Sequence, residues 1–525
     1  MKKISTLLLI VMLFQNQIFG KNYSTKIYDV RNYGAKGDGK TLDTHSIQLS
    51  IDECSSDGGG TVILSSGKFL IGTIYLKSNV TLSISAGAVL LGSTKITDYT
   101  TDTHKNMYRN EPQMDRCLIF AKDASSICIE GPGEIDGQGN RNNFPKSGLR
   151  PMLIRFLNCK DIHMKNISLK NPAAWTSAWL YCSDILVDGV RIHSRVNANG
   201  DGLDFDGCQN VQVSNCTFDT SDDSICLQTS RTDRPCRDVV ISNCIFSSRW
   251  AGIRIGLLSR GDFESVTVNN CIFKNIEDSG LKIQMNEGGR MKDMIFSNLI
   301  MRNVPRPIFM TFCQQRACVD APKELFPMKE MRNFIFKNFI ISSDSCDKNS
   351  AIVISGLPNH PIEEIILSDI YMTTGGGGTK EDAEKRILRE YTHEELGRGW
   401  PEFGLIGTVP SYGIYARHIK SLTINNIRID AAKKDARPAI VLDDVADVEF
   451  NVIQAKVDPS TESVFRFQNV RDANIRDCSF KENYNCFLRI EGKDSKNINI
   501  FNSYFEQTMF SLGKEVKNDA IKIYK

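Results

Sequence analysis

The sequence predicts an all-β solenoid, on two observations. Short phrases of alternating apolar residues recur along most of the chain, and the interval between them is nearly constant. The clearest are Asp161–Asn166 (DIHMKN), Asp184–Gly189 (DILVDG), Asn210–Cys216 (NVQVSNC), Asp238–Cys244 (DVVISNC), Ser265–Cys271 (SVTVNNC) and Asp293–Leu299 (DMIFSNL). Between Asp184 and Asp293 the successive steps are 26, 28, 27 and 28 residues. Self-similarity at a fixed period marks a stacked repeat, and the two-residue alternation makes each unit a strand. Related phrases return at Asn333–Phe339, Glu364–Ile370, Ser421–Ile427, Asp472–Cys478 and Asn497–Ser503.

Within each phrase alternate residues point inward, and the Asn near the end suits a tight turn because it tolerates left-handed backbone. Asn215, Asn243, Asn270 and Asn298 fall at matching positions, which predicts a structural asparagine ladder. A leucine-rich repeat would carry a leucine framework, and a propeller would have longer units. A length of 525 residues would ordinarily suggest more than one domain. Repeats escape that limit, because each coil buries its apolar face on the one before. Residues 21–525 are therefore expected to form a single domain.

The first twenty residues differ in kind. Lys2 and Lys3 precede an apolar stretch from Leu7 to Phe14, and Gly20 follows. Residues 1–20 read as a secretory signal, too short for a good membrane span. The mature protein is expected to be secreted or periplasmic, soluble, without a membrane partner, and monomeric. Lys+Arg 64 against Asp+Glu 62 leaves a net charge of +2. No basic clusters stand out, which speaks against a nucleic-acid partner.

Sixteen cysteines in an exported chain raise the question of disulfides. Cys216, Cys244 and Cys271 close matching phrases and are expected to stack as buried thiols. Cys313 with Cys318, and Cys478 with Cys486, are the better disulfide candidates. No zinc-type CxxC pair occurs. The period breaks after Asn298. The longest irregular stretch, about 375–411, begins with Gly375–Gly378, continues as a charged helical segment to about Gly397, and ends in a Pro-containing run. A loop of that length in a compact repeat is functional or mobile, and it is expected beside a substrate groove.

Stacking the coils produces a chemical cluster. Leu203, Ile225, Ile253 and Leu281 open four similar strands (LDF, ICL, IRI, LKI), spaced by 22, 28 and 28 residues. On this register Asp201 lies beside Asp223, with Asp222 adjacent to both. Neighbouring coils sit ~4.8 Å apart, so three carboxyls share one patch. Splitting a glycosidic bond needs such a patch, with one carboxyl to protonate the leaving oxygen and another to act on water or sugar. Crowding raises one carboxyl's pKa and keeps a proton available. Taken singly, each Asp pair reads as a turn or as a calcium site. Stacked, they favour catalysis.

Several phrases resemble a known family. Tyr28–Gly39, Gly58–Val62 and Gly87–Leu91 are similar to the entry segment of pectin-lyase-like β-helices, in which residues around Thr44–Cys54 form a capping helix. A cap is physically required, since an end coil would expose its core and unpaired strands. Asn199-Gly200-Asp201, with Gly202 and Asp204, resembles the Asn-Thr-Asp motif of the polygalacturonase-like glycoside hydrolases, family 28. Ser221-Asp222-Asp223 resembles that family's Gly-Asp-Asp motif, in the same order, and Asp136–Gly139 and Asn171–Trp175 resemble further recurrent phrases. The similarity covers most of residues 25–310. It implies a right-handed parallel β-helix with an N-terminal cap, inverting hydrolysis of an acidic plant-type polysaccharide, and no cofactor or metal. In that scheme Asp222 is the general acid, while Asp201 and Asp223 activate water.

Two family motifs are altered. Gly-His-Gly aligns with Trp250-Ala251-Gly252, so the histidine position is Ala251, and Arg-Ile-Lys aligns with Lys282-Ile283-Gln284. The resemblance gives those residues the task of orienting the acid and holding a galacturonate carboxylate, so plain endo-polygalacturonase action is in doubt. The departures point to a specialised member, acting on rhamnogalacturonan or as an exo-galacturonidase. Alternation along the strands puts Arg254 and Lys282 outward beside the acids. There they either bind a uronate carboxylate or pair with a surface acid. Trp250 either stacks on a sugar or packs on a loop. Asn199, Arg254, Lys282, Gln284 and Trp250 are the expected substrate-binding residues. Two other classes remain open: a calcium-dependent lyase with Arg254 or Lys282 as base, and a carbohydrate-binding protein without turnover.

Overall fold

The computed structural model describes residues 26–524, except 315–316, 319, 321–322, 398, 479–483 and 504–509; the expected leader, residues 1–20, lies outside the described residues. The chain winds as a right-handed parallel β-helix, the hand that parallel crossovers adopt. Each coil contributes three strand segments. One coil, for example, runs through Leu203–Asp206, Gln209–Ser214 and Thr217–Thr220, and the next through Ile225–Thr229, Cys236–Ser242 and Ile245–Ser248. Residues stack in register: Leu203 on Ile225, Val211 on Val239, Phe218 on Phe246.

The corners follow from single left-handed residues. Asn215, Asn243, Asn270 and Asn298 have φ between 54° and 57°, a region asparagine enters with little penalty. Side-chain bonds join the later rungs of the expected ladder, Asn298 donating to Asn270 at 3.1 Å and Asn338 to Asn298 at 3.0 Å, while Asn215 donates to Asp188 at 2.7 Å. A second left-handed position opens each phrase, at Asp161, Asp184, Asn210, Asp238, Ser265 and Asp293.

Inward residues fill the tube. Phe218, Phe246 and Phe273 stack with centroids 5.0 and 4.8 Å apart, and Trp179 lies between Phe156 and Phe205. Each such buried side chain is worth ~1.5–3 kcal/mol. Cys216, Cys244 and Cys271 are buried free thiols on successive coils, as expected. The disulfide expectation fails: Cys313, Cys318, Cys478 and Cys486 are all free. Cys313 instead donates to Asn286 Oδ1 at 2.9 Å, and Cys318 donates to Glu287. These thiols sit among hydrogen-bond acceptors rather than facing one another.

The open end is covered by the helix Thr44–Ser56, which buries Ile47, Ile51 and Cys54. Its Gln48 also satisfies the edge strand, accepting from Tyr75 N at 2.8 Å and donating to Tyr75 O at 3.1 Å. Residues 375–411 leave the helix and return without disturbing it, since Ile352–Ser355 pairs directly with the strand beginning at Ile414. The segment carries three one-turn helices, Lys380–Ala383, His393–Leu396 and Phe403–Ile406. It lies across the outer face of the sheet that holds Asp204, Arg254 and Lys282.

Candidate active site

One outward-facing row organises this face. Ala178, Asp204, Cys226, Arg254, Lys282, Phe309, Val353 and Tyr415 stack in unbroken register. The three aspartates occupy the corner leading into that row, on two successive coils. Backbone bonds fix their relative height: Gly202 N donates to Asp223 O at 2.9 Å, and Thr176 N to Asp201 O at 2.9 Å. Gly200 is required for this approach. A Cβ there would lie 2.2 Å from Ser194 O and 2.5 Å from Ser221 Oγ.

One oxygen from each of Asp201, Asp222 and Asp223 lies within 4.8 Å of the others. Asp201 and Asp223 are buried, and Asp222 is half-buried. Asp223 is held by Ala251 N at 3.2 Å and Arg254 Nη1 at 3.2 Å. The backbone of Ala251, at the altered histidine position, thus still anchors an acid. Oδ1 of Asp201 and Oδ2 of Asp204 have no hydrogen-bond partner among the described residues. Burial, then the charges of Asp223 and Glu111, push the Asp222 carboxyl up to about 8. Burial and the Asp222 charge push Asp201 well above the usual carboxylate range. Asp223 is also raised by burial, with Arg254 and Lys282 pulling it back. A proton is therefore favoured on Asp222 at neutral pH, and Asp223, ion-paired to Arg254 at 3.2 Å, is the member best placed to carry charge beside it. Three converging carboxylates are also a donor set for a hard cation.

The five expected binding residues lie around this cluster, but not as free ligands. Asn199 accepts from Arg150 Nη2 at 2.8 Å and donates to Glu111 Oε1 at 2.9 Å, so its amide is a bridge. Arg254 is buried, bonded to Asp223 and to Glu402 Oε1 at 3.1 Å. Lys282 is fully buried, 2.9 Å from Asp278 and in direct contact with the Glu402 carboxylate. Gln284 accepts from Arg254 at 2.7 Å and donates to Pro401 O at 2.6 Å. Trp250, 36% exposed, has the Lys282 ammonium 4.5 Å from its ring centroid. Of the two readings of Arg254 and Lys282, pairing with an acid of the protein is the arrangement present: the Glu402 carboxylate lies between them.

Sequence reasoning missed Glu111, Arg150, Asp278 and Glu402. Burial opposes ionisation of Asp278, yet Lys282 and Arg306 hold its carboxyl down to about 2. Burial pushes Glu111 up to about 7. Glu111 comes from a loop that meets the 375–411 segment over the site. Tyr108 contacts Trp400 edge-on at 6.3 Å, and the Arg109 guanidinium lies 5.3 Å from the Trp400 ring centroid. No repeat signal marks these loops, because only the three-dimensional winding brings them together.

Comparison with known proteins agrees with the motifs. Residues 54–389 match the sequence profile of glycosyl hydrolases family 28. The chain belongs to that family. Among its relatives, the exo-poly-alpha-D-galacturonosidase of Dickeya chrysanthemi is 28% identical over 453 residues, covering 73% of this chain and 74% of the relative. A probable polygalacturonase of Vitis vinifera is 27% identical over 363 residues, covering 65% and 72%. The Thermotoga maritima exopolygalacturonase shares the fold with a TM-score of 0.61 at 19% identity, over 77% of this chain and 92% of that one. The family 28 exopolygalacturonase of Yersinia enterocolitica follows at 0.59 and 20%, over 86% and 78%. Among the described residues no helix is long and apolar enough to cross a membrane.

Proposed function

We propose that this family 28 glycoside hydrolase cleaves an α-linked pectic glycan by inversion, with Asp222 as proton donor and Asp201 and Asp223 as the base that activates water. The observation that carries the reading is the proton favoured on Asp222, whose carboxyl is pushed up to about 8, within 4.8 Å of an Asp223 that is ion-paired to Arg254 at 3.2 Å. The leaving oxygen needs that proton, and the attacking water needs the neighbouring carboxylate. Polygalacturonase relatives act on this class of polymer, which supports the substrate assignment. The apolar stretch after Lys2 and Lys3 supports export. The meeting of Tyr108 and Trp400 over one side of the cluster supports action at a chain end.

Inversion rests on the family motif rather than on carboxylate spacing. The nearest oxygens, within 4.8 Å, are closer than the ~6.5–9.5 Å between carboxyl groups in many inverting pairs. Proton NMR of the first product decides the point. Release of the new reducing end as the β-anomer is expected, and initial release of the α-anomer contradicts inversion. A second reading, a calcium-dependent lyase, is favoured by one observation, the three converging carboxylates. It is excluded if turnover persists with a chelator present.

A further inference from the structure

The environment of Glu402 says more about the substrate than the catalytic carboxyls do. Three cations, Arg254, Lys282 and Arg306, face three anions, Asp223, Glu402 and Asp278. Arg254 bridges Asp223 and Glu402. Lys282 bridges Glu402 and Asp278, and Arg306 closes the chain at 2.8 Å from Asp278. The three cations are buried, and each positive charge in this charge chain is matched by a carboxylate of the protein, whereas Arg150, at Asn199, bonds an amide oxygen and main-chain carbonyls. A substrate carboxylate arriving here would add an unmatched negative charge in a low-dielectric recess that already holds Asp201 and Asp204.

Glu402 is not a side chain on a loose tether. Its neighbours Pro401 and Phe403 are buried, Gln284 holds the Pro401 carbonyl, and the Arg306 guanidinium lies 4.6 Å from the Phe403 ring centroid. Farther out, Arg417 donates to the carbonyls of Leu388 and Arg389, while Arg466 donates to those of Ala383 and Lys385. Tyr391, Leu396 and Ile406 pack with Phe309, Val353 and Tyr415 of the β-helix. Moving Glu402 away would break this docking and would leave Arg254 with Asp223 alone and Lys282 with an Asp278 it shares with Arg306, one buried negative charge short.

We infer that Glu402 is a specificity-determining residue: its carboxylate fills the Arg254–Lys282 cradle, so the sugar bound beside Asp223 must be one that carries no carboxylate. The inference rests on the hydrolase reading and refines it. The preferred substrate is a pectic glycan in which a neutral sugar occupies this position, rather than an uninterrupted polyuronate.

The test combines binding with turnover. Glu402→Gln keeps the side-chain shape and removes the charge. By calorimetry, galacturonate should bind this variant at least about tenfold more tightly than it binds the wild type. Adding Lys282→Met to the variant should abolish that gain. For turnover, the kcat/KM ratio of oligogalacturonate to an oligosaccharide with a neutral sugar alternating with galacturonate should rise by about tenfold or more in Glu402→Gln. Should that variant fail to fold, Glu402→Ala, which also vacates the volume, carries the same expectations. Unchanged galacturonate affinity in the folded variant overturns the inference. So does a wild-type preference for oligogalacturonate over the alternating oligosaccharide. A gain in galacturonate binding with no hydrolysis of either glycan by the wild type sinks the hydrolase reading instead and leaves the role of Glu402 standing.

Discussion

Replacing Asp222 by Asn removes the proposed proton donor while keeping the side chain's size. In the folded protein this carboxyl is held near 8 rather than 3.8, by burial and by the charges of Asp223 and Glu111. Its proton is therefore present through neutral pH in the folded chain and absent in the unfolded one. A raised carboxyl favours folding most strongly below about pH 4, and that contribution is lost as pH climbs through about 8. At ~1.4 kcal/mol per pH unit the full span would approach ~6 kcal/mol. Because Asp222 is half-buried, solvent screening reduces the expected share to about 2–3 kcal/mol. The Asn variant should thus lose about 2–3 kcal/mol less stability than the wild type between pH 5 and 8.5, measured by urea unfolding at both values. Turnover should fall by about 10²- to 10⁴-fold, and the wild-type kcat profile should decline on its alkaline side near pH 8. A folded Asn variant with more than a tenth of normal activity, or with the wild-type dependence of stability on pH, would refute the assignment.

Lys282→Met leaves Asp278 and Glu402 without their shared cation in a buried setting, so a loss of about 3–5 kcal/mol is expected by urea unfolding. A change under 1 kcal/mol would mean the charge chain is not a structural unit. Asn199→Ala removes the bridge between Arg150 and Glu111. Initial-rate kinetics should show kcat reduced about tenfold through misplacement of the site, with KM nearly unchanged. A rise in KM alone would return Asn199 to direct substrate binding.

The coil was legible in the sequence because its physics is local. Alternating apolar residues and a left-handed Asn recur every turn, and the positions of Leu203, Ile225, Ile253 and Leu281 were enough to stack Asp201 on Asp223. The left-handed residue that opens each phrase was less visible, since Ser265 and Glu364 occupy it in some coils where Asn or Asp does in others. What escaped entirely came from loops. Glu111 and Arg150 lie 88 and 49 residues from Asn199, which they flank, and no period connects them. Glu402, 148 residues from Arg254, reaches the site only because its segment docks on the outer face. The outward direction of Arg254 and Lys282 was readable from alternation. Their occupancy by a protein carboxylate was not.

The central claim is hydrolysis at the three-aspartate cluster, and product analysis tests it most directly. Purified protein would be incubated with polygalacturonan and with rhamnogalacturonan in the presence of a chelator, and the released sugars examined by mass and ultraviolet absorbance. Saturated products from either backbone, with monomers first, are the predicted result, and the rhamnose-containing backbone should be the better substrate. Ultraviolet-absorbing unsaturated products, formed only when calcium is supplied, would contradict the account and make the cluster a metal site.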